Sequence, residues 1–471
     1  MLFNSPLFLF LFLPCLYLLY RLVPSSWRNG TLLVTSLLFY SWAEPVFVFW
    51  ALGSAFLDWI LGEIISRRKE QGIRKAAVTA GVVANVALLA YFKYANFFWA
   101  NLVVVLKGLG LSPSPLLHVA LPIAISFIVF EKITYLVDLY RGDGRRADSL
   151  LTYLTYVFYF PKLLAGPIIR YHDIDEQLRR REVTWLDFRD GMIRFLFGLA
   201  KKVLLADHLG HMADQIFRLP PQQLEMSLAW IGVICFTAQI YFDFCGYSDM
   251  AIGLSLIFGF RLKENFRQPY TAINFTDFWR RWHISLSTWI RDYLYIPLGG
   301  NRHSVARTYF NLCLCFFLSG LWHGASWTFI IWGLYHGTIL IADRLFWIEW
   351  QKHLPKIINV AITFFLVVIS WVIFRAESFA QMGVFLRTMF IPQPLIAPNF
   401  IWVSPDIIFA LAVAYFIIFL PLVPRYQRFL SWYENLALRR TFELAAAYGL
   451  FVFALARVAT SSFQAFIYFR F

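Results

Sequence analysis

Charge is scarce in this chain. Only 15% of its 471 residues are Asp, Glu, Lys or Arg, against about a quarter in an average soluble domain. Acidic residues are the scarcer sign, 28 against 42 basic ones, leaving a formal net charge of +14. Hydrophobic residues make up 59% and aromatics 19%, and a soluble fold with that much apolar surface would aggregate. Cysteine is rare too. Cys15, Cys235, Cys245, Cys313 and Cys315 all lie in apolar stretches, so they read as small core hydrophobes, with no disulfide framework and no metal-type spacing. No repeat, low-complexity tract or soluble domain interrupts the pattern. What fills the chain instead is a series of apolar runs, many near the 20 or so residues that a helix needs to cross hydrocarbon. The basic residues cluster between those runs, which reads as membrane topology and not as nucleic-acid binding.

The runs fall at residues 3–22, 32–42, 46–65, 76–109 and 117–140, then at 191–207, 226–257, 305–322, 326–346, 357–375, 405–423 and 441–463. They predict an all-α polytopic membrane protein of roughly 10–12 transmembrane helices, in one membrane domain over residues 1–471. The first run lacks a basic n-region and a small-residue cleavage site, so it reads as a retained span. Basic residues at Arg21, Arg28, 67–74 and 141–146 fit one side of the membrane, the cytoplasm, with the N-terminus outside. Residues 153–169 contain Pro161, Gly166 and Pro167 and read as a re-entrant or interfacial element, because irregular backbone at membrane depth must be buried in protein. The polar run at 171–190 reads as a cytoplasmic loop.

Three clusters carry polar chemistry. The first, residues 274–300, contains Trp279, Arg280, Arg281, Trp282, His283, Trp289 and Arg291. Wound as one helix, Trp279, Trp282, His283, Leu286, Trp289, Ile290 and Tyr293 share a face. Asn274 or Thr276 would cap its start, and Pro297 with Gly299 and Gly300 would end it. An amphipathic helix at the interface explains its tryptophans and arginines. It does not explain an imidazole on the apolar face.

The second cluster, residues 319–327, sets Trp322 and His323 in an otherwise apolar stretch of about forty residues. An ionisable group in such a stretch marks a functional site by default. Burial keeps an imidazole neutral, and a neutral imidazole can accept the proton of a hydroxyl nucleophile. A structural histidine bonding a carbonyl is the plainer alternative, and His336 nearby reads as a packing residue. The third cluster, residues 239–249, holds Asp243 and Asp249, which need cations; Arg280, Arg281 and Arg291 are the candidates.

In this order the clusters resemble the membrane-bound O-acyltransferase family, and most of all its bacterial branch that includes the alginate O-acetylation membrane protein. The resemblance rests on Tyr91-Phe-Lys-Tyr-Ala-Asn96, Ala165-Gly-Pro167, residues 241–253, Glu264-Asn-Phe-Arg-Gln-Pro-Tyr270, residues 278–300 and Leu321-Trp-His-Gly-Ala325. It covers about residues 90–346, and the C-terminal spans at about 357–463 add little beyond hydrophobicity. Cys245 stands where the family pattern leads one to expect serine.

The resemblance implies a central tunnel through the membrane holding both histidines. His323 would be the residue on which acyl transfer depends, and His283 would orient the donor carbonyl or stabilise the oxyanion. Asp243, Trp279, Arg280, Arg281, Trp282, Trp289, Arg291 and Trp322 would line the tunnel or bind substrate. It further implies transfer of an acetyl group from a cytoplasmic thioester towards an exported polysaccharide such as alginate. No cofactor would be bound, the donor being a co-substrate, either acetyl-CoA or a carrier-bound thioester. The expected partners are a periplasmic acetyltransferase subunit, an acyl carrier protein or CoA at the cytoplasmic face, and membrane lipids. The expected location is the bacterial inner membrane, with a periplasmic N-terminus. D-alanyl transfer to teichoic acid and peptidoglycan O-acetylation stay open within the family. Outside it stand a transporter or flippase, for which inverted repeats are absent, and a non-catalytic scaffold.

Overall fold

The computed structural model describes residues 1–114, 118–392, 401–460 and 466–467. The first residue of the run at 117–140 and the end of the run at 441–463 lie outside them. Among the described residues every regular element is a helix, as hydrocarbon requires of a backbone that must satisfy its own polar groups. Eight helices there are long and apolar enough to cross a membrane: Phe47–Arg67, Gln71–Gly108, Met226–Ile257, Val305–His323, Trp327–His353, Lys356–Arg375, Pro405–Leu422 and Arg439–Ala459. The protein is an all-α, multi-pass membrane protein. Eight is fewer than the roughly 10–12 spans expected from apolar runs alone. The difference lies in runs that do form helices, Phe8–Leu22, Arg28–Ser41, Ile125–Arg141 and Trp185–Ala200, but are too short or too charged to qualify by length and composition.

The chain folds as two compact units, Met1–Phe195 with Met250–Lys263, and Leu196–Asp249 with Glu264–Phe471. In the first, helices Phe47–Arg67, Gln71–Leu89 and Ile125–Arg141 pack on one another. Gly81 permits this, since a Cβ there would stand 2.3 Å from Leu136. The charges these helices bury are paired. Lys132 Nζ lies 3.1 Å from Asp58 Oδ2 and donates to Ser54 Oγ at 2.8 Å, while Asn85 Nδ2 donates to both Asp58 oxygens at 2.9 and 3.0 Å. Removing one partner of such a pair strands the other, at a cost of about 3–5 kcal/mol. Asp58→Leu is therefore expected to lower the thermal unfolding midpoint in detergent sharply, and adding Lys132→Met should recover most of the loss.

Residues 160–169 are all buried, although their backbone is helical only as far as Leu163. Their polar groups find protein partners. Phe160 N–H donates to Ser36 Oγ at 3.0 Å, Tyr156 Oη donates to Ile169 O at 2.7 Å, and Lys162 pairs with Glu131. The irregular backbone expected from Pro161, Gly166 and Pro167 is held inside protein.

In the second unit, helices Val305–His323 and Trp327–Ala342 form a hairpin closed by three residues. The two backbones touch at glycines: a Cβ on Gly320 would stand 2.2 Å from Phe329 O, and one on Gly333 2.2 Å from Phe316 O. Helix Lys356–Arg375 packs on the second arm. These two acids, Asp243 buried and Asp249 partly so, take partners other than the expected arginines. Asp243 Oδ1 lies 2.8 Å from Lys202 Nζ, and Asp249 Oδ2 lies 2.6 Å from Lys201 Nζ. Gly246 is the reason. A Cβ there would sit 2.8 Å from Gly198 O and 3.2 Å from Lys201 Cβ, so its absence admits the lysine-bearing turn against the acidic helix.

Candidate active site

The segment that carries His283 begins as its residues predict. Asn274 caps helix Phe275–Arg281, accepting from Asp277 N–H at 2.7 Å. The helix then stops. Instead of one helix through residue 293 there are two, Phe275–Arg281 and Ile284–Ile290, broken at Trp282 and His283. His283 takes the left-handed conformation with φ +43°, which is uncommon for a residue other than glycine. Hydrogen bonds to the neighbouring stretch make the break: Ile284 N–H donates to Asn265 O at 2.9 Å, and Arg267 N–H donates to Arg281 O at 2.9 Å. The shared aromatic face of a continuous helix does not exist. Tertiary packing gathers those side chains instead.

The His283 ring is fully buried. It sits edge-on to Phe244 with centroids 4.6 Å apart, and 6.0 Å from the Trp322 ring. Its Nδ1 lies 3.3 Å from Asn265 Oδ1. Burial pushes the imidazole down to about 3, so it is neutral at any physiological pH.

His323 is the last residue of helix Val305–His323, at the hairpin's closed end, as its place between the runs at 305–322 and 326–346 implied. Gly324 follows, where a Cβ would stand 2.2 Å from the Phe329 ring, so a side chain there would have to displace that ring. The His323 ring is 4% exposed and packs against Trp322 and Trp332, both at 4.9 Å, and Phe374 at 5.5 Å. Trp322 is thus a neighbour of both histidines. The cluster extends through Trp332 to His336 at 4.6 Å and Trp279 at 5.9 Å, and through Trp371 to Trp282 at 5.1 Å. His336, expected to be a packing residue, is fully buried and also accepts a hydrogen bond from Trp279 Nε1 at its Nδ1, at 3.2 Å.

His283, His323, Trp322, Trp279 and Trp282 therefore meet in one cluster. The other candidates have partners of their own. Asp243 pairs with Lys202 and accepts from Ile467 N–H at 2.8 Å. Trp289 stacks on Tyr293 at 5.4 Å. Arg281 pairs with Asp277 at 2.8 Å and Arg291 with Asp292 at 2.6 Å, while Arg280 is exposed. Trp332, Trp371 and Phe374 escaped the sequence reading because tryptophan and phenylalanine in an apolar span look like any core residue. Lys201 and Lys202 did carry a signal, two cations inside an apolar run. The arrangement sets two imidazoles in an aromatic, water-poor enclosure. That environment suits removal of a hydroxyl proton next to an ester that water would otherwise hydrolyse.

The model of the MBOAT, membrane-bound O-acyltransferase family matches residues 145–376, which contain the whole of this cluster. "Probable alginate O-acetylase AlgI" of Azotobacter vinelandii is 46% identical over 379 residues, 80% of this chain and 76% of that protein. The chain belongs to the membrane-bound O-acyltransferase family. The protein of the same printed name from Pseudomonas aeruginosa is also 46% identical, over 80% of this chain and 72% of its own. "Peptidoglycan O-acetyltransferase" of Helicobacter pylori is 37% identical over 80% of this chain and 77% of its own. As a membrane-bound O-acyltransferase, this protein is an enzyme that transfers acyl groups.

Proposed function

We propose that this enzyme takes an acetyl group from a cytoplasmic thioester and passes it outward for O-acetylation of an exported polysaccharide such as alginate. A separate periplasmic acetyltransferase subunit would complete the transfer. In this reading the protein lies in a bacterial inner membrane with its N-terminus in the periplasm, and the donor is acetyl-CoA or an acyl carrier protein thioester. The observation that carries the chemistry is Trp322 in contact with two buried imidazoles, 4.9 Å from the His323 ring and 6.0 Å from that of His283. Alginate is favoured as the acceptor because relatives named for it reach 47% identity, against 37% for one named for peptidoglycan and 30% for a teichoic acid D-alanyltransferase.

In the proposed step His323 accepts the acceptor hydroxyl's proton while that oxygen bonds to the thioester carbonyl carbon. The tetrahedral intermediate then collapses, the carbon–sulfur bond breaks, and the departing thiolate takes the proton from His323. The products are an ester and a thiol, and the imidazole returns neutral. His283 orients the donor, Trp279, Trp282 and Trp322 exclude water, and the exposed Arg280 and Arg291 meet the donor's phosphates. Asp243, Arg281 and Trp289 support the passage through the contacts given above.

Sidedness and donor are tested in proteoliposomes of known orientation that enclose an alginate oligosaccharide together with the periplasmic partner. Labelled acetyl-CoA or acetyl carrier protein is supplied only at the cytoplasmic face. Label is expected on the enclosed glycan. Label that accumulates only when the donor is enclosed would reverse the proposed direction.

A further inference from the structure

Asn265 lies against His283 and has no part in the chemistry so far. It is fully buried, and three donors surround its side-chain oxygen: Ser285 N–H at 3.1 Å, Ser285 Oγ at 3.0 Å and His283 Nδ1 at 3.3 Å. A backbone N–H can only donate, so the atom facing Ser285 N must be the carboxamide oxygen, and turning the group over would set NH2 against N–H. The oxygen accepts. His283 Nδ1 must then be the donating nitrogen.

A neutral imidazole with its proton on Nδ1 carries its lone pair on Nε2. His283 is therefore an acceptor at Nε2, suited to an O–H or N–H of the substrate, and while neutral it cannot donate to an oxyanion. That removes the oxyanion role the family resemblance implied for it. Two features show that this arrangement is held against local preference. His283 sits at φ +43° without being glycine, the kind of backbone strain that clusters at functional sites. Among the described residues the buried Asn265 Nδ2 has no hydrogen-bond partner, an exception among buried polar groups that calls for a reason.

We propose that Asn265 is a positioning residue for acyl transfer, its carboxamide oxygen locking His283 as the Nδ1–H tautomer so that Nε2 meets the substrate as an acceptor. The inference rests on the proposed function and deepens it. It adds a residue that acts through His283, and it sets the polarity of that ring.

The test is a double-mutant cycle on purified protein, with acetyl transfer read as kcat and KM separately. Asn265→Leu is expected to lower kcat about 10–100-fold with KM changed by less than about threefold, and to cause no further loss in a His283→Ala background, because residues acting as a unit are non-additive. Ser285→Ala, which removes one bond to the same oxygen without touching the imidazole, should stay within about twofold of wild type. Independent, additive losses would overturn the proposal, as would an unchanged kcat in Asn265→Leu.

Should Asn265→Leu fail to yield monodisperse protein, Asn265→Asp decides the question. Its carboxylate still accepts all three donors, and its negative charge beside Nδ1 favours the imidazolium. The acid limb of the pH–rate profile should therefore move to higher pH, with activity regained on the alkaline side. An unmoved limb would overturn the proposal. Loss of activity in His283→Ala beside a neutral Asn265→Leu defeats this inference alone. Full activity in both His283→Ala and His323→Ala defeats the proposed function as well.

Discussion

His323→Ala is expected to abolish acyl transfer while the protein still folds and reaches the membrane. The imidazole closes a helix and packs among Trp322, Trp332 and Phe374, so alanine leaves a ring-sized gap without breaking the hairpin. Losing a general base costs about 10²–10⁴ in rate, which in a cell means no detectable acylation of the surface glycan. KM for the donor should change little, because in the proposed mechanism the imidazole acts on the transition state and other groups hold the donor. His336 is the informative comparison. It is an equally buried histidine in the same cluster, with Trp279 donating to its Nδ1. His336→Ala should reduce stability and leave more activity per folded molecule than His323→Ala.

The second large effect is on folding. Gly333→Val is expected to cost most of the monodisperse protein. The added Cβ would stand 2.2 Å from Phe316 O and 3.0 Å from Phe316 C. Both are backbone atoms of the facing helix, and backbone cannot step aside as a side chain can. The helices would have to part along the arm that presents His323, and forced overpacking of this kind costs about 1–3 kcal/mol or more. Gly383→Ala is the control. Nothing lies within 4 Å of a Cβ at that position, so in helix Phe379–Phe390 it should be neutral or stabilising by about 0.5–1 kcal/mol. Fluorescence-detected size exclusion at equal expression, with a thermal ramp, separates the two variants.

The parts of this molecule that were legible in the sequence are those set by local composition. Residues 226–257 and 305–322 were read as spans, and the structure has helices Met226–Ile257 and Val305–His323, because length and apolarity suffice to define them. His323 stood out for the same reason, as a lone ionisable group in apolar surroundings. Asn274 was legible as a cap because the cap is a local hydrogen bond.

What failed depended on distant partners. Periodicity ran one helix through residues 274–293, but Ile284 N–H is taken by Asn265 O, a bond that no periodicity reveals. Asp243 and Asp249 were given the arginines of the 274–300 cluster, whereas Gly246 admits Lys201 and Lys202 from another segment. Asn265 lay within a motif already singled out, yet its role follows only from the three donors around one oxygen. Trp332 and Trp371 became site residues only once the cluster was assembled.

The most direct measurement is a single-turnover assay comparing wild type with His323→Gln, which keeps hydrogen-bonding capacity near the ring position but cannot accept a proton. Both proteins, matched for folded fraction, are loaded with labelled acetyl thioester, and donor binding and acetyl transfer to a hydroxyl acceptor are followed separately. Equal donor binding with transfer lost by about 10²-fold or more in His323→Gln is the predicted result. Transfer at the wild-type rate by a folded, donor-loaded His323→Gln protein would contradict the assignment of His323 as the base.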